Sequence, residues 1–247
     1  MYKLRKYSNW VIIIGLLLLW TILFELILPV NSVFPKPSIV MQSFNDLLNK
    51  YFLIWNFLST VSAIYTSMFI SVVFIWILFP HITGTNFLTD IVMSLEWSSR
   101  YIPGIFLSML FIYWFPKSEV TKFIFATLIS FTSFSYRAKY LAENVPKELT
   151  SWLPSFEISS NQIKRNVVWK MIQPKLFDYL IKQNLYLWAS VVIFEYMNLG
   201  LGVGTILRNI LLYNDLSALV MMLILITIFI YSFSQLIKFI KNKYYFW

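Results

Sequence analysis

Long apolar runs alternate with short breaks marked by proline, glycine or polar residues along the whole chain. The pattern predicts a first helix over about 10–30, followed by the break Asn31-Ser32-Val33-Phe34-Pro35-Lys36-Pro37-Ser38. Pro37 and Ser38 suit a helix start, and 39–54 reads as an amphipathic surface helix. A second long helix is expected over about 57–79, ending at Pro80, with a turn at Thr83-Gly84-Thr85-Asn86. Residues 87–115 form an apolar segment broken at Pro103-Gly104, and further helices are expected over about 119–136, 183–199 and 216–239. Runs near twenty residues are long enough to cross about 30 Å of hydrocarbon. The fold class read from this pattern is all-α: a polytopic membrane protein with about six transmembrane helices, a single domain over 1–247.

Composition sharpens that picture. Of 247 residues, 59% are hydrophobic and 13% charged, too few polar groups to clothe a soluble domain of this size. The aromatic share of 19% suits interfacial belts and a lipid-facing surface. With no cysteine and the single histidine His81, which is expected in an interfacial loop, the chain offers no thiol chemistry and no imidazole-rich metal site. The basic start, Lys3, Arg5 and Lys6, precedes an apolar run that continues to Pro29 without a small-residue cleavage site, so a retained helix is expected instead of a signal peptide.

The net charge of +9 acquires meaning when sorted by segment. Fourteen basic residues fall near the N-terminus, within 137–182 and in the tail, while Lys36, Lys50, Lys117, Lys122 and Arg208 fall on the other side. Positive charge accumulates on cytoplasmic loops. Both termini and the polar stretch of about 137–182 are therefore expected in the cytoplasm, and nucleic acid is not an expected partner. That stretch carries breakers at Val145-Pro146, Pro154, Ser159-Ser160-Asn161 and Pro174. Two or three short surface helices would satisfy it, either as a platform for a soluble partner or as a solvated connector.

Several motifs fall in the order of one family. Phe34-Pro35-Lys36-Pro37-Ser38 resembles L-P-x-P-S, Arg100-Tyr101-Ile102-Pro103 resembles R-P-I-P, and Leu110-Phe111-Ile112-Tyr113-Trp114-Phe115 resembles L-x-I-x-W-F. Asn144-Val145-Pro146-Lys147-Glu148-Leu149, then Ser159-Ser160-Asn161-Gln162-Ile163 and a stretch ending at Pro174, resemble an E-A-A segment. Glu195 followed by Gly200-Leu201-Gly202 resembles E…G-L-G. Together they resemble the permease subunits of bacterial ABC importers of the type I fold, nearest the nitrate, sulfonate and taurine branch.

The resemblance implies a multi-pass protein of the bacterial inner membrane that performs no covalent chemistry. Its partners would be cytoplasmic ABC ATPases, a second permease chain, an extracytoplasmic solute-binding protein and membrane lipid. ATP and magnesium would belong to the ATPase, since the chain has no G-x-x-x-x-G-K-[ST] loop. The ATPase-docking residues implied are Glu148, Ser155, Phe156, Glu157, Ser159, Asn161, Ile163 and Lys164; the pathway or gate residues are Glu96, Arg100, Pro103, Glu195, Gly200 and Gly202. The solute would be a small anion such as a sulfonate, taurine or nitrate, or a thiamine-precursor-like pyrimidine.

The chain also departs from the family. Anchored on Val145-Pro146, the small E-A-A residues become Ser151-Trp152-Leu153 and the glycine becomes Glu157. Anchored on Pro174, they become Ser155-Phe156-Glu157 and the glycine becomes Asn161. The second register is preferred near the turn, because asparagine tolerates φ > 0 better than glutamate. A scaffold that kept the fold and lost coupling is the competing reading. Glu96 and Arg100, spaced i,i+4, either pair structurally or line the pathway, with Arg100 attracting an anion. Glu195 is expected in gating or packing, and Gly200, Gly202 and Gly204 in a tight turn or close packing.

Overall fold

A computed structural model describes residues 2–28, 34–84, 87–102, 104–115, 118–146, 159–198 and 200–245. All regular structure among them is helical. The chain divides into two compact units, one of 1–54 with 206–228 and the other of 55–205 with 229–247.

In the first unit, α1 (Tyr2–Thr21) continues as a π-helical stretch, Ile22–Ile27. α2 (Pro37–Asn49) starts at the expected proline, whose missing N–H costs nothing at a first helical position. The Glu25 carboxylate accepts the free Ser38 amide at 2.9 Å, and Trp20 donates its indole N–H to the Pro35 carbonyl. α9 (Val203–Leu212) ends on Asn214 at φ 52°, with the Asp215 amide reaching back to the Ile210 carbonyl. Asparagine tolerates that left-handed position. Asp215 then caps α10 (Leu216–Tyr244) through the Ala218 amide, and its other oxygen accepts the Tyr51 hydroxyl. Burial, then the adjoining Asp215 charge, pushes the Tyr51 phenol up to about 12.

The second unit is built on α3 (Leu53–Ile82), α6 (Glu119–Glu143), α8 (Trp169–Asn198) and the C-terminal part of α10. Cross-helix contacts fix their directions. Ser67 donates to the Phe123 carbonyl, and Ser71 approaches the Thr127 carbonyl at 3.3 Å, so α3 and α6 run parallel. Phe125 stacks on Phe194 and Ser133 donates to Gln183, so α8 runs antiparallel to α6. Phe229 meets Trp188 and Lys241 pairs with Asp178, so α10 is antiparallel to α8 as well. α4 (Phe87–Tyr101) and α5 (Gly104–Trp114) divide where the Pro103-Gly104 break was expected, and Phe111 of α5 packs edge-on to Phe125.

Several boundaries differ from expectation. α3 runs past Pro80 to Ile82, which places His81 in its last turn and not in a loop. Proline disturbs only the bond and the carbonyl one turn back, and here little helix remains beyond it. The larger correction concerns 137–182. α6 extends to Glu143, and helix resumes at Ser160 as α7 (Ser160–Ile163), passes through a π-helical stretch, Lys164–Val168, and continues as α8. Much of the expected surface platform is thus extension of long helices, including a residue as unfavourable as Pro174. Apolar burial explains it: Ile163, Val168, Trp169, Ile172 and Leu176 pack with Ile75, Phe79, Phe134, Ala138 and Leu141 in one cluster.

Two described helices are by themselves long and apolar enough to cross a membrane: α3, with mean hydropathy 2.1, and α10, with 2.5. That is compatible with membrane association. α6, of 25 residues, and α8, of 30, are also long, but carry Lys122, Arg137 and Lys139, and Lys175, Asp178, Lys182 and Glu195.

Candidate functional site

The site lies where α3, α6 and α8 meet the Gly-rich turn entering α9. A helix begins with backbone N–H groups that have no intrahelical partner. Here four successive amides find four different side chains. Leu201 N–H donates to Glu119 Oε1 at 2.9 Å and Gly202 N–H to Asn56 Oδ1 at 2.8 Å. Val203 N–H donates to Thr60 Oγ1 at 2.8 Å and Gly204 N–H to Glu195 Oε2 at 3.2 Å. The Thr60 hydroxyl in turn lies 2.8 Å from the Glu195 carboxylate, to which it donates. Glu195 therefore sits at the positive end of α9, where a carboxylate is favoured.

Glycine is required for this approach. A Cβ on Gly202, held at φ 154°, would overlap the Glu195 carboxyl group. A Cβ on Gly204 would overlap the Val192 carbonyl oxygen and the Tyr196 nitrogen of α8. Gly200 is less constrained, since its Cβ would meet the end of the Glu119 side chain at 3.0 Å.

Charge balance is completed by Lys122, which is 2% exposed beside Glu195 at 1%. Its ammonium lies 3.3 Å from Glu195 Oε1 and 3.0 Å from Glu119 Oε2, and donates to Ser59 Oγ and the Leu201 carbonyl. Isolated buried charges are expensive, and paired ones with additional hydrogen bonds are tolerated. Charge sorting counted Lys122 with the basic residues of the non-cytoplasmic side; its side chain is buried, held by two carboxylates, a hydroxyl and a carbonyl.

Comparison with family models, with curated proteins and with solved structures finds no match to this chain.

Of the expected gate residues, the structure brings Glu195, Gly200 and Gly202 together. Glu96 and Arg100 lie on α4, with side chains outside the described set, as is Pro103. Other α4 residues, Met93, Ser94, Trp97 and Ser98, line an open groove of about 630 Å³ opposite Tyr136, Lys139, Tyr140 and Glu143 of α6.

Of the expected docking residues, Glu148, Ser155, Phe156 and Glu157 fall outside the described residues. Ser159 is the N-cap of α7, in a reciprocal capping box with Gln162. Asn161 is helical and is not a residue at φ > 0; α7 starts behind Ser159, whose hydroxyl accepts the Gln162 amide. Ile163 is buried in the apolar cluster, and Lys164 donates to the Pro80 carbonyl at 3.3 Å.

Sequence reasoning missed Asn56, Ser59, Thr60, Glu119 and Lys122. A signal was present in α3, where Asn56, Thr60, Ser67 and Ser71 recur at helical spacing in an otherwise apolar run. All four are buried.

Proposed function

We propose that this chain is the membrane-spanning permease subunit of an ATP-driven importer, resembling the type I ABC permeases. It acts as a dimer, with two cytoplasmic ATPases docked near 145–170 and an external binding protein delivering the solute. The observation that carries the reading is the junction at Ser159. A capped helix start leads without a break into α8, and its first buried residues, Ile163 to Ile172, pack on the ends of α3 and α6. A displacement at Ser159–Asn161 has a continuous helical route to Glu195 and the Gly-rich turn.

Helix directions support the same arrangement. With six spans and cytoplasmic termini, α3, α6 and α10 descend while α8 ascends, in keeping with the pairings Ser67–Phe123, Ser133–Gln183 and Lys241–Asp178. The Glu195 latch and the apolar cluster then fall at the external and cytoplasmic ends. The solute is a small anion or zwitterion, and the α4–α6 groove beside Lys139 lies on its route. The replaced E-A-A residues Ser155-Phe156-Glu157 favour a second reading, a scaffold without productive coupling.

The test is affinity isolation of the tagged protein from its own membranes, followed by mass spectrometry. Recovery of a nucleotide-binding ATPase, lost on Asn161→Trp at the exposed face of α7, is the expected result. Intact protein that brings down no ATPase in mild detergent refutes coupled transport and leaves the scaffold.

A further inference from the structure

We propose that the oxygen cage around Lys122 is a binding site for a primary ammonium cation, which the chain supplies from its own side chain. The inference does not depend on the transport reading.

Four oxygens surround the Lys122 nitrogen: Ser59 Oγ at 2.5 Å, Leu201 O at 2.7 Å, Glu119 Oε2 at 3.0 Å and Glu195 Oε1 at 3.3 Å. They come from α3, the Gly-rich turn, α6 and α8, so the cation ties every wall of the site to the turn. An alkylammonium carries three donors on a compact head and has no acceptor. The spacing suits N–H···O bonds. Three of the four distances, those to Leu201, Glu119 and Glu195, exceed the 2.3–2.6 Å of calcium ligands, and all four exceed the 2.0–2.1 Å of magnesium. Charge agrees as well, since two carboxylates face one ammonium. Glu119 is half-exposed at 47%, which gives the cage a route to solvent, while Glu195 is buried.

Removing the ammonium sets two carboxylates beside a carbonyl and a hydroxyl with nothing between them. The Leu201 carbonyl and the Glu195 oxygen then repel, and the turn lifts from α3 and α6. Lys122→Ala deletes three methylenes and the ammonium, which is the outline of n-propylammonium. The vacated cage therefore takes that ion.

The experiment uses the full chain purified in detergent, with thermal unfolding followed by intrinsic fluorescence of its 10 tryptophans. Lys122→Ala and the unsubstituted protein are each titrated with n-propylammonium, tetramethylammonium or sodium chloride at matched ionic strength. For Lys122→Ala, n-propylammonium is expected to raise the midpoint with the logarithm of its concentration, by about 3–6 °C at ten times its dissociation constant. The unsubstituted protein, whose cage is full, does not respond. Equal responses to the three salts, or the same response from both proteins, overturn the proposal.

The double variant Lys122→Ala/Glu195→Gln serves if the single one does not fold. Loss of one carboxylate with the cation relieves the repulsion, so it is expected to fold better than Lys122→Ala and to lose most of the n-propylammonium response. A double variant no better folded than the single one overturns the proposal.

Discussion

Substituting alanine at three glycines tests the turn geometry most directly, because the structure gives each methyl a different neighbour. At Gly204 the methyl overlaps the Val192 carbonyl oxygen and the Tyr196 nitrogen, which are backbone atoms of α8 and cannot rotate away. Relief requires moving α9 off α8, which lengthens the Gly204–Glu195 bond, now 3.2 Å. Overpacking of this kind costs about 1–3 kcal/mol. A weakened hydrogen bond to a buried carboxylate adds about 1–2 kcal/mol. The total is about 3 kcal/mol, or a midpoint lowered by about 6–12 °C for a chain of this length. At Gly200 the methyl meets the Glu119 carboxylate at 3.0 Å and Asn198 Nδ2 at 3.6 Å, a crowding that a shift of a few tenths of an ångström relieves while Glu119 keeps Leu201 and Lys122, so the cost stays within about 1 kcal/mol. At Gly15, within α1, a methyl meets nothing within 4 Å, and the better helix former stabilises by about 0.8–1 kcal/mol. Thermal unfolding in one detergent, read by tryptophan fluorescence, ranks the three. The expected order of midpoints is Gly15→Ala highest, Gly200→Ala near the parent and Gly204→Ala lowest. A Gly204→Ala protein unfolding within about 2 °C of Gly200→Ala refutes the close approach of Gly204 to the α8 backbone.

Other consequences are as accessible. Lys122→Met and Glu195→Gln each strand a buried partner and are expected to cost about 3–5 kcal/mol singly, while the double variant recovers much of that loss; additive costs in the cycle contradict the pairing. Tyr51 is neutral with its phenol raised from 10.0 to about 12, so its contribution is complete below pH 10 and lost as pH climbs through about 12. Stability measured from pH 9 to 12 is therefore expected to fall less steeply in Tyr51→Phe than in the parent. Ser159→Ala removes the α7 cap, at about 1 kcal/mol, and should speed amide exchange at Gln162 while leaving exchange in α10 unchanged. Trp169→Ala opens the apolar cluster where Trp169 meets Phe79 edge-on, with an expected loss of about 3–5 kcal/mol in unfolding free energy.

Hydrophobic periodicity located helices well and ended them poorly. The break at Pro103-Gly104 and the start of α2 at Pro37 were readable because proline and glycine act locally. The ends of α6 and α8 were not, because the residues carrying them past the apolar runs look polar in sequence and earn their helical state by packing. Trp169, Ile172 and Leu176 are separated by Lys170, Gln173, Pro174 and Lys175, and only the neighbouring helices reveal which face is buried. Within the site, Glu195 and the glycines stood out as a motif. Lys122 did not, since a lone lysine next to a span looks like a surface charge until two carboxylates from separate helices are seen to enclose it.

The seam between α3 and α6 is stepped. Ser67 uses the Phe123 carbonyl and Ser71 lies by the Thr127 carbonyl, a spacing of four residues on both helices, with Thr127 donating to Ser67. A slide of α3 by four residues, about 6 Å with a rotation of about 40°, sets Ser71 where Ser67 now stands and restores a hydroxyl opposite Phe123. Shorter slides set hydroxyls between carbonyls and break the Thr127–Ser67 link. Such a pair of polar teeth would favour displacement by a whole notch over a shorter slide, since only the whole notch returns a hydroxyl to the Phe123 carbonyl.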